Sequence, residues 1–225
     1  MNKKLTLALV AAGVLSAGVS SVAVAHQAGD IIFRAGAVMV APDESSQNII
    51  TPDLGDLGQF SVSENTQLGL NFGYMLTDNW AVELLAATPF SHDISIAGVG
   101  KVADTKHLPP TLVAQYYFGD AQSKLRPYVG VGVNFTNFFD NEITNDAGGR
   151  LSDLSLTNSW GIAAQVGLDY QVNNNWLVNA SVWYADISTD ASFNYAPDGG
   201  AVSVPVTIET DINPWVYMVS VGYKF

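Results

Sequence analysis

The sequence has 225 residues, of which 48% are hydrophobic, 11% aromatic and 13% charged, with no cysteine and a formal net charge of −12. A chain this apolar is not disordered, and its acidity opposes a nucleic-acid partner, whose phosphates bind a basic face. Without cysteine there is no disulfide framework, thiolate metal site or thiol nucleophile.

Residues 1–25 carry a positive start, Lys3 and Lys4, an apolar run from Leu5 to Val19 and the small-residue site Ala23-Val24-Ala25. That pattern predicts a cleaved secretory signal peptide, followed by a single barrel over residues 26–225. Losing Lys3 and Lys4 takes the net charge from −12 to −14. No apolar run after Ala25 is long enough for a membrane-spanning helix.

The rest of the chain has period two. From Phe60 to Leu76 the even positions include Phe60, Val62, Leu68, Leu70, Phe72 and Tyr74, while the odd ones are Ser, Asn, Gln, Gly and a final Met. The alternation recurs from Trp160 to Val172 and from Trp215 to Phe225. It predicts eight strands, at about 30–40, 60–76, 80–90, 107–118, 125–138, 158–172, 176–186 and 211–225. Their connections alternate. Residues 77–79, 119–124 and 173–175 are short, whereas 41–59, 91–106, 139–157 and 187–210 are long. An even strand number, short turns on one side and long loops on the other predict an all-β fold. The expected form is an eight-stranded antiparallel transmembrane barrel with short periplasmic turns and long extracellular loops. Strands longer than the roughly 9–11 residues needed to cross should project above the membrane.

A soluble barrel of the lipocalin kind has the same strand count but turns its apolar face inward. The strand charges separate the two. Arg34, Glu83, Arg126, Asp169 and Lys224 all share parity with the small polar residues. Arg or Lys facing lipid at mid-membrane costs about 2–4 kcal/mol, so the apolar face must be the outer one. Asp186 breaks the parity where its strand should already have left the bilayer. Tyr74, Trp80, Tyr116, Phe118, Tyr170, Trp176, Tyr223 and Phe225 lie near the short turns, and Phe60, Trp160, Tyr184 and Trp215 near the long loops. These are the two aromatic belts of an outer-membrane barrel.

Several segments resemble hallmarks of the OmpW family of small outer-membrane proteins: Val82-Glu83-Leu84-Leu85-Ala86-Ala87-Thr88-Pro89-Phe90, His107-Leu108-Pro109-Pro110-Thr111-Leu112, Arg126-Pro127-Tyr128-Val129-Gly130-Val131-Gly132, and Ser181-Val182-Trp183-Tyr184. The likeness covers essentially the whole mature chain, with length variation in the long loops. It implies a narrow hydrophobic interior and uptake of small hydrophobic or amphipathic molecules across the outer membrane of a Gram-negative bacterium. The family's channel constriction matches Leu85 and Trp183, and parity independently turns both side chains inward. The terminal Gly222-Tyr223-Lys224-Phe225 resembles the aromatic end, here Phe225, that the barrel-insertion machinery reads. Outer-membrane lipids and lipopolysaccharide are the expected surroundings.

The inward charges Arg34, Glu83, Arg126, Asp169 and Lys224 are expected near the periplasmic end of the lumen, where they should pair, because unpaired buried charge is costly. Such a floor opposes an apolar molecule. Pro89, Pro109 and Pro110 sit at similar heights near the outer rim of strands three and four, and proline removes a ladder donor. They predict a lateral seam through which a hydrophobic solute leaves into lipid. The acidic group from Asp140 to Asp146 lacks the calcium-loop spacing. Ser91, His92 and Asp93, with His107, lie at the rim of the same two strands, but nearness in sequence is not a triad. No catalytic residue, metal ligand or cofactor is expected. Three functions remain: a passive conduit for small hydrophobic molecules, a structural or partner-presenting barrel without transport, and a narrow pore for small polar or ionic solutes.

Overall fold

A computed structural model of the chain describes residues 26–51, 55–199 and 202–225; the expected leader lies outside them. The barrel strands are β1 (Ile31–Ala41), β2 (Asn65–Met75), β3 (Trp80–Ala87), β4 (Thr111–Tyr117), β5 (Leu125–Ile143), β6 (Ser159–Gln171), β7 (Trp176–Ala185) and β8 (Trp215–Lys224). Each pairs antiparallel with its sequence neighbour. β8 returns to β1, with Ile32 opposite Lys224 and Ala41 opposite Trp215, so the sheet closes and leaves no edge.

The two faces of each barrel strand differ sharply in exposure. Leu68, Phe72, Val131, Ile162 and Val219 are 50–67% exposed, while Arg34, Glu83 and Asp169 are at most 1% exposed. The apolar face is therefore the outer, lipid-facing one. Aromatic pairs mark both edges of that face. Trp80–Tyr116 and Trp176–Tyr223, with ring centroids 5.1 and 5.0 Å apart, ring the short-turn end. Phe135–Trp160 and Tyr184–Trp215, at 4.7 and 5.3 Å, ring the other.

The expected long loops are largely sheet. Phe90–Ile96 and Gly100–Leu108 form a hairpin that pairs with Phe60–Val62 on one side and with the upper half of β5 on the other. Leu151–Leu156, Ser188–Tyr195, Val204–Asp211 and Ser45–Ser46 form a second, four-stranded sheet. At about 3.3 Å per residue, the 19 residues of β5 reach about 60 Å, roughly twice the hydrocarbon thickness. The expected strand over 60–76 is broken at Ser63–Glu64, and the phase of its alternation reverses there. Phe60 consequently leaves the upper aromatic belt and packs inside the extracellular extension against Phe193, at 6.5 Å. The strand expected over 107–118 is likewise split, at Pro109–Pro110. Asp186 lies just beyond the end of β7 and is exposed, its N–H donating to Ile162 O at 2.9 Å.

Candidate functional site, a lumen of two chambers above a charged floor

The floor is assembled from inward positions near the short turns. Arg34 on β1 pairs with Glu83 on β3 and Asp169 on β6, and its Nη2 donates to Tyr117 OH on β4 at 2.7 Å. Asp169 also meets His26 Nε2 at 2.8 Å and accepts from Asn179 Nδ2 at 2.7 Å. Gln165 donates to Glu83 Oε1 at 3.0 Å and accepts from Gln115 at 2.9 Å. Arg126 stands over the Tyr117 ring, 5.3 Å from its centroid, and donates to the backbone carbonyl of His26 at 3.1 Å. Lys224 lies lower, with Nζ 3.4 Å from Asp30 Oδ2. Ion pairs this deep persist because each carboxylate oxygen is also hydrogen-bonded, which offsets the desolvation of the charges.

Sequence reasoning missed part of this network. Tyr117, Gln165 and Asn179 have inward parity and could have been read from it. His26 precedes β1, where no period exists to place it, yet it is fully buried. Gly167 leaves lumen space for one ring. A Cβ there would stand 2.2 Å from Tyr128 Cζ, and Tyr128 OH accepts from Asn179 at 2.9 Å. Gly132 differs, since a Cβ would strike Leu112 O on β4 at 1.9 Å, so glycine there permits close strand approach. Gly167→Ala is expected to displace Tyr128 and destabilise the barrel by about 1–3 kcal/mol. Urea unfolding in lipid checks this.

Directly above the floor the lumen turns apolar. Leu85 lies two residues above Glu83 on β3, and Trp183 on β7 faces Gln165 across the ladder. The two join Val38, Val40, Phe90, Val113, Val216 and Met218 in one buried cluster. Trp183 Nε1 donates to Ser181 Oγ at 3.2 Å. A cavity of about 490 Å³, mouth included, is lined by Leu85, Trp183, Ala86, Ala87, Phe90 and Pro109 among others. Above it a second cavity of about 840 Å³, also including its mouth, runs through the extracellular extension past Phe60, Ile94, Ile96, Leu154 and Phe193. Val40 and His107 line both cavities.

The wall of the lower cavity is interrupted between β3 and β4. Their ladder ends at Leu85 opposite Thr111, and pairing resumes only at Phe90 opposite His107 in the hairpin above. In between, each side turns away from the other. Thr88 N–H donates to Leu68 O on β2 at 3.0 Å, and Pro110 O accepts from Phe135 N–H on β5 at 3.0 Å. Pro89 and Pro109 have no N–H to bridge the gap. The gap lies level with Phe135, and hence with the upper aromatic belt.

Residues 27–225 match the family model described as the OmpW family. Outer membrane protein W of Escherichia coli (strain K12) is 53% identical over 225 residues, spanning 99% of this chain and 100% of that relative. The crystal structure of the outer membrane protein OprG from Pseudomonas aeruginosa is similar at a TM-score of 0.82 and 46% identity, covering 89% of this chain and 98% of that one. Outer membrane protein AlkL of Ectopseudomonas oleovorans is 30% identical over 199 residues, 83% of this chain and 81% of the relative.

Proposed function

The chain belongs to the OmpW family and is a β-barrel of the Gram-negative outer membrane, and from that premise we propose that it is a passive conduit for small hydrophobic molecules with lateral exit into the bilayer. The observation that carries this reading is a pair of adjoining apolar cavities above a charged floor, beside a gap in the wall. A hydrophobic solute enters through the extracellular extension, crosses the upper cavity and reaches Leu85 and Trp183. Below them every direction is unfavourable. Arg34, Glu83 and Asp169 would have to give up their partners to let an apolar body pass. Beside them Ala86, Ala87 and Pro109 face the solute across an unpaired stretch of wall, at the level of the outer leaflet. Leaving there breaks no backbone hydrogen bond and returns the solute to hydrocarbon.

In this reading Leu85 and Trp183 form the constriction, Pro89, Pro109 and Pro110 the seam, and the inward charges the closed end. The closed floor supports uptake without ion conductance and disfavours a narrow pore for polar or ionic solutes. Vesicle uptake of a labelled hydrophobe, run beside planar-bilayer conductance, tests this directly. Uptake with no conductance is expected, and ion-selective conductance would overturn the reading. Replacing Leu85 or Trp183 by Ala should widen the lower cavity and raise hydrophobe flux several-fold. Unchanged flux in a folded variant would remove that residue from the constriction.

A further inference from the structure

His92 and His107 are 15 positions apart in sequence, but the extracellular hairpin brings their Nε2 atoms to 3.2 Å. Both rings are buried above the upper aromatic belt, outside the membrane-spanning strands. The His107 ring packs edge-on against Phe90, with centroids 5.3 Å apart, and lies 5.7 Å from Phe138. Burial, reinforced by the facing His92, pushes the His107 imidazole down to about 3, and burial also lowers His92, so both rings are neutral at ordinary pH.

The protons of this pair follow from its partners. His92 Nδ1 meets the backbone carbonyl of Ser63, which can only accept, so Nδ1 carries the proton. In a neutral ring Nε2 is then bare and must accept. His107 therefore donates through Nε2, and its own Nδ1 is left as a bare acceptor. Among the described residues no hydrogen bond reaches that atom.

The other polar side chains lining the two cavities have spent their protons inside the protein. Thr105 Oγ1 donates to Asn141 at 2.7 Å, Thr189 to Thr157 O at 2.8 Å and Thr210 to Ile208 O at 3.5 Å. Thr111 Oγ1 donates to Pro109 O at 3.0 Å, and Asn134 Nδ2 gives its protons to Pro109 O and Thr111 at 3.3 and 2.8 Å. Trp183 Nε1 is held by Ser181. The side chains along the path thus offer acceptors and no uncommitted donor.

We propose that His107 is a hydrogen-bond station at the junction of the two cavities, selecting solutes that pair an apolar body with a single donor group, such as a primary alcohol or a phenol, over ethers and esters of equal size. The proposal rests on the conduit reading for its biological sense, but binding at the station is measurable without transport. A hydroxyl hydrogen meets a prepared acceptor there. An ether oxygen meets only other acceptors and gives up its water unreplaced.

The test uses the whole barrel in lipid nanodiscs, labelled with ¹⁵N-histidine, and two isomeric probes, 1-octanol and heptyl methyl ether. 1-Octanol is expected to bind about two- to tenfold more tightly and to shift the His107 Nδ1 resonance, which the ether leaves in place. His107→Phe keeps the aromatic packing and should bring the ratio to about one. His107→Asn places an amide oxygen close to the position of Nδ1 and should restore the preference for the alcohol. Equal binding of both probes to the unaltered protein, or a preference that survives His107→Phe, would overturn the proposal. Should His107→Phe fail to fold, the resonance shift and the Asn variant decide it alone. An intact alcohol preference with no flux of either probe across vesicles would uphold the station and overturn the conduit.

Discussion

Cysteines placed at Ala87 and Pro109, one on each side of the gap between β3 and β4, and joined by a short bis-thiol linker, will reduce uptake of a hydrophobic probe to the level of protein-free vesicles. The native chain has no cysteine, so the only linkage formed is the engineered one. The expected effect is large because both residues line the lower cavity, and in the conduit reading the gap is the way into the bilayer that crosses no backbone ladder. Downward, the path meets buried ion pairs. Elsewhere around the barrel, neighbouring strands are joined by continuous ladders that would have to break. Across the gap no backbone hydrogen bond joins the two sides among the described residues. A control linkage belongs at Val131 and Ala164, which face each other in the unbroken β5–β6 ladder. It should leave uptake unchanged. Full linkage at the gap with undiminished uptake would show that solutes leave by another route.

Replacing Arg34 by Met will destabilise the barrel by about 3–5 kcal/mol, the usual consequence of leaving one side of a buried ion pair without its partner. Arg34 is shared by Glu83 and Asp169, which sit on β3 and β6 in opposite parts of the wall. Two carboxylates would then face one another without the guanidinium between them, the next cation, Arg126, standing beyond the Tyr117 ring. Water should enter to solvate them, and small ion conductance should appear where none is expected of the native barrel. Urea unfolding in lipid and planar-bilayer recording measure the two effects separately. Adding Glu83→Gln and Asp169→Asn to the same variant removes the stranded charge and should recover most of the lost stability. A single Arg34→Met variant as stable as the native barrel would mean that the network contributes nothing to closing the floor.

Much of this architecture is legible in the sequence because the bilayer imposes a severe rule. A side chain on the wrong face of a membrane strand costs kilocalories, so period two is written almost without error from β1 to β8. The five inward charges and the inward Leu85 and Trp183 follow from that same count. Where lipid ends the rule ends too. Above the upper belt both faces of a strand meet protein or water, which is why Phe60 could reverse its orientation unannounced after the break at Ser63–Glu64. The expected loops also concealed a hairpin and a second sheet for that reason. The three histidines stand at positions 26, 92 and 107. Only the folding back of Phe90–Ile96 onto Gly100–Leu108 brings His92 to His107, and only the closed barrel brings His26 to Asp169.

The amide of Phe225 donates to the carbonyl of Ile31 at 2.9 Å, so the first and last strands of the barrel finish side by side on the short-turn face. A brief linker from Phe225 to Ile31, replacing residues 1–30 and giving up the buried His26–Asp169 contact, could join them, and new ends could then be cut into the exposed turn at Asn145–Gly149. The order of strands around the ring would be unaltered, and the former start of the chain would become one more hairpin bend, indistinguishable in kind from the turns at 77–79 and 173–175.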